Sequence, residues 1–288
     1  MIKTKKVLLI GGSGTLGSSI VKLRIFKNLD SPKKKRLNLL KKSSIGKFLK
    51  NDYNLIINCA AIARIRKCEE NPIVAIKVNI FGTLNLVKEI MSYQSHHKKK
   101  IKLIQISTDH FFSDKKNMKH SEKSKVKILN IYAKTKYQAE KFTKINNNHI
   151  IVRTNFTGFK NEGNMKTFIE WVIENSKKKI ALFDDYFCST IDVKSLANFI
   201  LDLLNTNFKG IINIGSSSIS NKKKFAEKFI KKLGIKKRSL TNKELELLFK
   251  GLHVKYCRNL EDNIVNDSCI IANLQETLHF QQKTIDDN

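Results

Sequence analysis

Four short and almost wholly apolar runs constrain this chain most: Lys6–Ile10 (KVLLI), Asn54–Asn58 (NLIIN), Ile101–Ile106 (IKLIQI) and His149–Arg153 (HIIVR). A strand that is apolar on both sides needs both faces of its sheet covered, which is the habit of parallel sheets sandwiched between helices. Helix-like stretches fall between the runs, at Thr15–Phe26, Asn71–Met91 and Tyr132–Lys144. In the second of them Ile73, Ile76, Ile80, Leu84 and Val87 recur every three or four residues, which predicts one buried stripe. Strand and helix alternating at this spacing predict an α/β fold, a doubly wound parallel sheet.

The pattern is weakest at Leu29–Leu40, where a second strand belongs but SPKKKRLNLL offers a poor one. Beyond Arg153 the periodicity loosens. Helices are expected at Met165–Asn175, Lys194–Leu204 and Asn221–Leu233, and strands at Ile180–Phe183 and Gly210–Ile214, before a polar end. Residues 1–154 therefore read as one α/β region. Residues 155–288 read mainly as a smaller lobe, with some elements returning to the first sheet. There is no internal repeat and no long flexible linker.

Composition narrows the classes. The 288 residues are 41% hydrophobic with two prolines, enough for a real core and against a disordered or collagen-like chain. No apolar run nears the roughly 18–20 residues of a membrane span. The basic start MIKTKK leads into about four apolar residues, too few for a secretory signal, which needs about 7–15. Cytoplasmic residence without membrane insertion is the expectation. Cys59, Cys68, Cys188, Cys257 and Cys269 are odd in number and form no C-x-x-C pair, so no disulfide framework or zinc site is expected. With 55 Lys+Arg against 25 Asp+Glu the formal charge is +30. Its basic runs are scattered and no nucleic-acid-binding motif accompanies them, so compositional drift is the simpler reading. Nucleic acid ranks last among the partners, although an anionic ligand would suit the charge.

Gly11, Gly14 and Gly17 form G-x-x-G-x-x-G straight after the first strand, at the start of the first helix. Glycine lets the backbone turn tightly and approach a pyrophosphate, and the helix N-terminus offers it free N–H groups. Tyr132 and Lys136 form Y-x-x-x-K, four apart on one helix face. A phenol titrates near 10, so it needs a neighbouring ammonium to exchange protons near neutrality. Ser107-Thr108-Asp109 ends a strand, the place where doubly wound sheets hold ligands, and a hydroxyl there can hydrogen-bond a substrate carbonyl held beside that tyrosine. His96-His97 reads as a polar loop with no metal. Asp184-Asp185 reads as the end of a strand, and Phe168 and Trp171 as helix core.

The ordered set resembles the extended short-chain dehydrogenase/reductases. It adds Asn58-Cys59-Ala60-Ala61, Lys67-Cys68-Glu69-Glu70-Asn71-Pro72, Val78-Asn79 with Gly82, Thr83, Asn85 and Leu86, Asn130-Ile131 before Tyr132, and Glu140. Val152-Arg153-Thr154 and Ser189-Thr190-Ile191-Asp192-Val193 narrow the likeness to the dTDP-4-dehydrorhamnose reductases and their sugar-nucleotide-reductase relatives, over roughly residues 5–235. The resemblance implies an NAD(P)-binding Rossmann fold and hydride transfer from NADPH or NADH to the C4 ketone of a nucleotide-linked 6-deoxy sugar. It implies that Tyr132 protonates the carbonyl oxygen, that Lys136 binds the nicotinamide ribose and lowers the tyrosine pKa, and that Thr108 hydrogen-bonds the reacting oxygen. Gly11, Gly14, Thr15, Leu16, Gly17, Asn38, Ala61, Ile62 and Ala63 would border the cofactor. Thr108, Asp109 and Phe156 would meet the nucleotide sugar, and a homodimer is an open option.

Some positions depart from the family pattern. His110 replaces an aromatic, Asn155-Phe156 stands where a tryptophan is usual, and Arg66 replaces an acidic residue. The C-terminal segment around Arg258-Asn259 matches poorly. No acidic residue is clearly placed for an adenosine ribose 2′-hydroxyl, while Lys33–Arg36 could meet a 2′-phosphate, which favours NADPH. Two other activities stay open: an epimerase or dehydratase with tightly held NAD, and a cofactor-binding regulatory subunit without catalysis.

Overall fold

The computed structural model describes residues 5–24, 26–112, 119–159, 166–176, 182 and 185–233. Each long apolar run becomes a buried strand: β1 (Lys6–Ile10), and, after α1 (Thr15–Lys22), β2 (Asn28–Asp30) and α2 (Lys42–Leu49), β3 (Leu55–Asn58). Then come α3 (Ile65–Glu70), α4 (Pro72–Ala75), a π-helical turn (Ile76–Phe81), α5 (Gly82–His97), β4 (Lys102–Ile106), α6 (Ile131–Thr143) and β5 (His149–Thr157). The remainder is α7 (Phe168–Glu174), β6 (Phe187–Cys188), β7 (Thr190–Asp192), α8 (Val193–Leu204), β8 (Gly210–Ile214), β9 (Ser220–Asn221) and α9 (Lys222–Leu233). The described residues divide between two compact units, one drawn from 1–168 and 190–215, the other from 169–189 and 216–288.

In the first unit the sheet runs β2-β1-β3-β4-β5, every pair parallel, and β5 then pairs with β8 along 150–154 and with β7 along 155–157. Leu8, Ile10, Ile56 and Leu103 join Ile45, Leu49, Leu86, Val87 and Ile90 of α2 and α5 in one cluster. Side chains alternate along a strand, so Val7 and Leu9 point to the other face, and both are fully buried as well. α8 packs against α1, and neither helix contributes to that cluster. The chain reverses direction across the sheet between β1 and β3, the switch point at which doubly wound sheets open a crevice. In the second unit β6 pairs antiparallel with β9, which leads into α9. No helix among the described residues is long and apolar enough to cross a membrane.

Several expectations need correction. The second strand is three residues at the sheet edge, paired only with β1 and half exposed, so it carries no apolar signature; Leu37 and Leu39 enter the core from the loop that follows. The helix expected over Asn71–Met91 is broken into α4, a π-turn and α5. Its buried side is Ala75, Asn79, Gly82, Thr83, Leu86, Val87 and Ile90, while Ile73 is 66% exposed. The wider turn shifts the buried face away from a simple 3.6-residue stripe. His96 and His97 form the last turn of α5, with the His97 ring 4.2 Å from Tyr93, so they are not in a loop. On α7, Ile169 and Val172 are buried whereas Trp171 is 37% exposed and Phe168 half-buried, which places neither aromatic in the helix core. The strand expected at 180–183 (save residue 182), Asp184, Cys257, Cys269 and Arg258-Asn259 lie outside the described residues.

Candidate active site

The glycine turn is shaped by close backbone approach. Gly11 has φ +84°, and a Cβ there would come within 2.7 Å of the Ala60 nitrogen. A Cβ on Gly17 would meet the Gly11 carbonyl oxygen and, at 2.7 Å, the Gly12 Cα. Only glycine allows the turn to lie this close to the end of β3 while α1 starts immediately beyond it. The turn is closed by Gly14 N–H donating to the Gly11 carbonyl at 3.0 Å, and Cys59 N–H donates to the Ile10 carbonyl at 2.9 Å. No side chain caps the N-terminus of α1. Backbone donors at a helix start beside a glycine cradle fit the pyrophosphate of a dinucleotide. Thr15 is half-buried there, but the Leu16 side chain is in the core, so only its backbone faces the cradle.

Ala61 and Ile62 are half-buried after β3, and Ala63 is exposed. Asn79, on the π-turn, holds this stretch: its Oδ1 accepts Ile62 N–H at 2.8 Å, and its Nδ2 donates to the Ile62 carbonyl at 3.1 Å and to Thr135 Oγ1 at 2.9 Å. Thr135 in turn donates to the Tyr132 carbonyl at 2.8 Å. One buried amide therefore ties the segment after β3 to the helix that carries Tyr132 and Lys136. Asn38, expected in the cofactor cleft, spends its side-chain oxygen on the Leu40 N–H at 3.0 Å.

The three catalytic candidates converge. Thr108 is 2% exposed, Tyr132 9% and Lys136 4%. The Thr108 hydroxyl hydrogen-bonds the Tyr132 phenol, which packs against Cys68, Ala75 and Ile62. Burial is the main force on Tyr132 and pushes its pKa up to about 12; the Thr108 hydrogen bond opposes this, while Asp109 and Cys68 add to it. Burial likewise pulls Lys136 down to about 8, against the pull of the Glu140 carboxylate and then Cys59. At neutral pH the site thus presents a protonated phenol beside an ammonium ion. Cys59 sits by Lys136, and burial lifts its thiol to about 12, so it is an unreactive neighbour.

The rim of the site comes from strand ends. Asn155 Nδ2 donates to Asp109 Oδ1 at 3.2 Å, and Thr190 Oγ1 donates to Asn155 Oδ1 at 3.1 Å, which links the ends of β4, β5 and β7. Phe156 is half-buried next to Asn155, in register with Ile191. The His110 ring stands edge-on to Tyr132 with centroids 5.7 Å apart, and the His110 backbone N–H donates to Thr108 Oγ1 at 3.2 Å. Sequence reading missed three residues. Asp30 does end β2 beside the cradle, contrary to the expectation that no acid is placed there, but its Oδ2 accepts the Tyr53 hydroxyl at 2.5 Å. Asn79 and Glu140 were visible as motif letters, and both are polar side chains on the buried side of a helix.

A dTDP-4-dehydrorhamnose reductase of Clostridium acetobutylicum superposes with a TM-score of 0.71 at 27% identity, over 82% of each chain. A dTDP-4-dehydrorhamnose reductase of Bacillus anthracis, determined in complex with NADP, has a TM-score of 0.72 at 24% identity over 82% of this chain and 84% of that one. Methionine adenosyltransferase 2 subunit beta of Rattus norvegicus is 30% identical over 157 residues, 51% of this chain and 45% of its own, so this chain spans about half the length of that relative. Across residues 5–246 the sequence follows one family pattern, and the chain belongs to the RmlD substrate binding domain family.

Proposed function

We propose that this protein is an NADPH-dependent reductase acting on the 4-keto group of a nucleotide-linked 6-deoxy sugar. The observation that supports this reading is buried Thr108 beside Tyr132, with buried Lys136 one helical turn further on, at the same strand ends as the glycine cradle. NADPH, when bound, supplies hydride. The protein's own part is to hold the ketone oxygen between the Thr108 hydroxyl and the Tyr132 phenol, and to deliver the phenolic proton to that oxygen. Burial keeps the tyrosine in the protonated form a general acid needs but moves it further from neutrality, so in this reading Lys136 has to offset burial as the proton leaves; a positioned acid contributes about 10²–10⁴-fold. Lys136 stabilises the phenolate left behind and binds the nicotinamide ribose.

In this reading Gly11, Gly14, Thr15, Gly17, Ala61, Ile62 and Ala63 border the cofactor, with Leu16 contributing backbone only. Asp109 and Phe156 meet the sugar, and residues from 155 onward supply most of the substrate lobe. The preference for NADPH is supported at β2: Asp30 is engaged by Tyr53, while Arg36 lies 5.8 Å over the Phe48 ring and acts electrostatically on Tyr53. A carboxylate so occupied is a poor partner for a 2′-hydroxyl, and a guanidinium beside it suits a 2′-phosphate. A homodimer in the cytoplasm completes the proposal; exposed Ile73, Val74 and Phe81 favour the first, and the thiols of Cys59 and Cys68 suit a reducing compartment.

The test is oxidation of NADPH and NADH across a panel of nucleotide-linked 4-keto-6-deoxy sugars. Turnover that disappears in Tyr132→Phe, with cofactor affinity retained, supports the assignment; turnover that persists rejects Tyr132 as the acid. The likeness to methionine adenosyltransferase 2 subunit beta favours one other reading, a cofactor-binding subunit of a larger assembly. Cofactor binding with no turnover on any sugar would select it.

A further inference from the structure

Glu140 lies one helical turn beyond Lys136 and is 1% exposed. Its carboxylate accepts the Ser107 hydroxyl at 2.6 Å and is gripped by Arg153, with Nε to Oε1 at 3.0 Å and Nη2 to Oε2 at 2.7 Å. Arg153, 4% exposed, also donates Nη1 to the Glu122 carbonyl at 3.3 Å and lies 5.1 Å over the Phe111 ring. Ser107 N–H donates to the Val152 carbonyl at 2.7 Å. The carboxylate thus joins the end of β4, helix α6 and strand β5, and its partner Ser107 is covalently next to Thr108.

As a stability device this would be a poor choice. Desolvating an ion pair costs about as much as the pair returns, and apolar side chains of similar volume often do better. Its placement accounts for it better than its strength does. Glu140 on its own helix and Cys59 after β3 act on Lys136; Tyr132 is one helical turn back, with Thr108 and Asp109 after β4 acting on that phenol, and Arg153 on β5 grips Glu140. Burial keeps the Cys59 thiol and the Tyr132 phenol neutral. Glu140 is then the negative charge that acts on Lys136 among the described residues.

We propose that Glu140 is a positioning residue of the catalytic set: it keeps Lys136 charged in a dry site and, through Ser107, fixes Thr108 in register with Tyr132. The catalytic role rests on the proposed reductase reading, while the electrostatic role can be tested without it. The 13Cε chemical shift of Lys136, assigned by its loss in Lys136→Met, is followed against pH. In Glu140→Gln the midpoint falls by a unit or more; an unchanged midpoint overturns the proposal. Should Glu140→Gln fail to fold around an unpaired Arg153, Glu140→Gln/Arg153→Gln removes both charges and is read against Arg153→Gln, which sheds the cation alone: a midpoint lower than in Arg153→Gln supports the proposal, and an equal one overturns it.

Turnover supplies the second arm, normalised to cofactor-binding sites. Glu140→Gln lowers kcat at least tenfold with KM within about threefold, and moves the alkaline limb of the kcat profile to lower pH. Ser107→Ala keeps the charge, so it lowers kcat but leaves that limb in place. A simple structural role would reduce the number of competent sites and leave the limb unmoved in both variants, which overturns the proposal. Absence of turnover in the wild-type protein counts against the reductase reading alone, since the titration of Lys136 still decides the role of Glu140.

Discussion

The two ends of the one parallel sheet use lysine in opposite ways. At the carboxyl ends of the strands Lys136 is 4% exposed, one helical turn after Tyr132, and feels the Glu140 carboxylate. At the amino ends lysines crowd a shallow groove of about 480 Å³, lined among others by Lys98, Lys99, Lys100, Lys209, Gln94 and Asn146. The C-termini of α5 and α6 end there at Lys98 and Lys144, and cations at helix C-termini complement the partial negative charge of the last carbonyls. Lys99 pairs with Asp52 at 2.6 Å. Lys102, next to the groove, has its pKa lowered by burial and then by repulsion from Lys5 and Lys209, with no carboxylate opposing. The difference teaches that net charge does not locate chemistry. A lysine becomes a reagent where it is taken out of water and given a partner that keeps it protonated.

The largest effect should come from removing Lys136. Lys136→Met is expected to cut turnover by about 10²–10⁴-fold, the usual weight of a group acting through proton transfer. Its melting temperature at pH 7 should not fall below that of the wild type. The folded-state pKa of about 8 lies below the unbound value of 10.5, so the folded protein carries a penalty for the buried charge below pH 8; that penalty fades as pH rises toward 10.5. A large loss of melting temperature would show that Lys136 is held for stability and would erase the contrast between the two ends. Calorimetry beside a steady-state assay decides it.

Next in size is the cradle. Gly11→Ala combines a left-handed φ of +84° with a Cβ 2.7 Å from the Ala60 nitrogen, backbone that cannot swing aside. Cofactor affinity should fall at least tenfold, read by fluorescence titration, with some loss of stability from the strained turn. Equal affinity in the variant would remove the glycine turn from the cofactor site. A smaller effect is set by pH. Turnover needs Lys136 protonated, so with a pKa of about 8 it should decline above pH 8, by about tenfold per unit once well past that value. A profile flat to pH 10 would mean that the ammonium is not required.

Much of the carboxyl end was legible in the sequence because its residues obey local rules. The glycine turn follows a five-residue apolar strand, and Tyr132 and Lys136 share a helix face whatever the tertiary context. What was hidden depends on contacts distant along the chain. Asn79 reads as one polar letter in an apolar helix, yet it clamps Ile62, 17 residues away, and Thr135, 56 residues away. Asp30 was missed because β2 borrows its hydrogen bonds from β1 and needs no apolar pattern of its own. The buried stripe around α5 was misplaced because a π-turn, which no periodicity reveals, resets the helix face. Conversely, the charge excess was conspicuous in the sequence and pointed nowhere, since lysines suited to helix C-termini are scattered through it by the fold itself.

The smallest effect is expected where the charge is densest. Lys98→Gln/Lys100→Gln/Lys209→Gln removes three cations from the amino-end groove without touching Asn146, whose buried side chain donates to the Ile101 and Asn148 carbonyls and holds that corner together. Substitutions at surface positions away from packing usually change stability by less than about 0.5 kcal/mol, and relief of repulsion on Lys102 offsets the lost helix-end complement. The melting temperature should therefore stay within about 2 °C, and kcat/KM should be unchanged at low and at high salt. If turnover instead drops, and drops more at low salt than at high, the amino-end lysines steer the anionic substrate over the whole molecule. Functional lysine would then no longer be confined to the carboxyl ends.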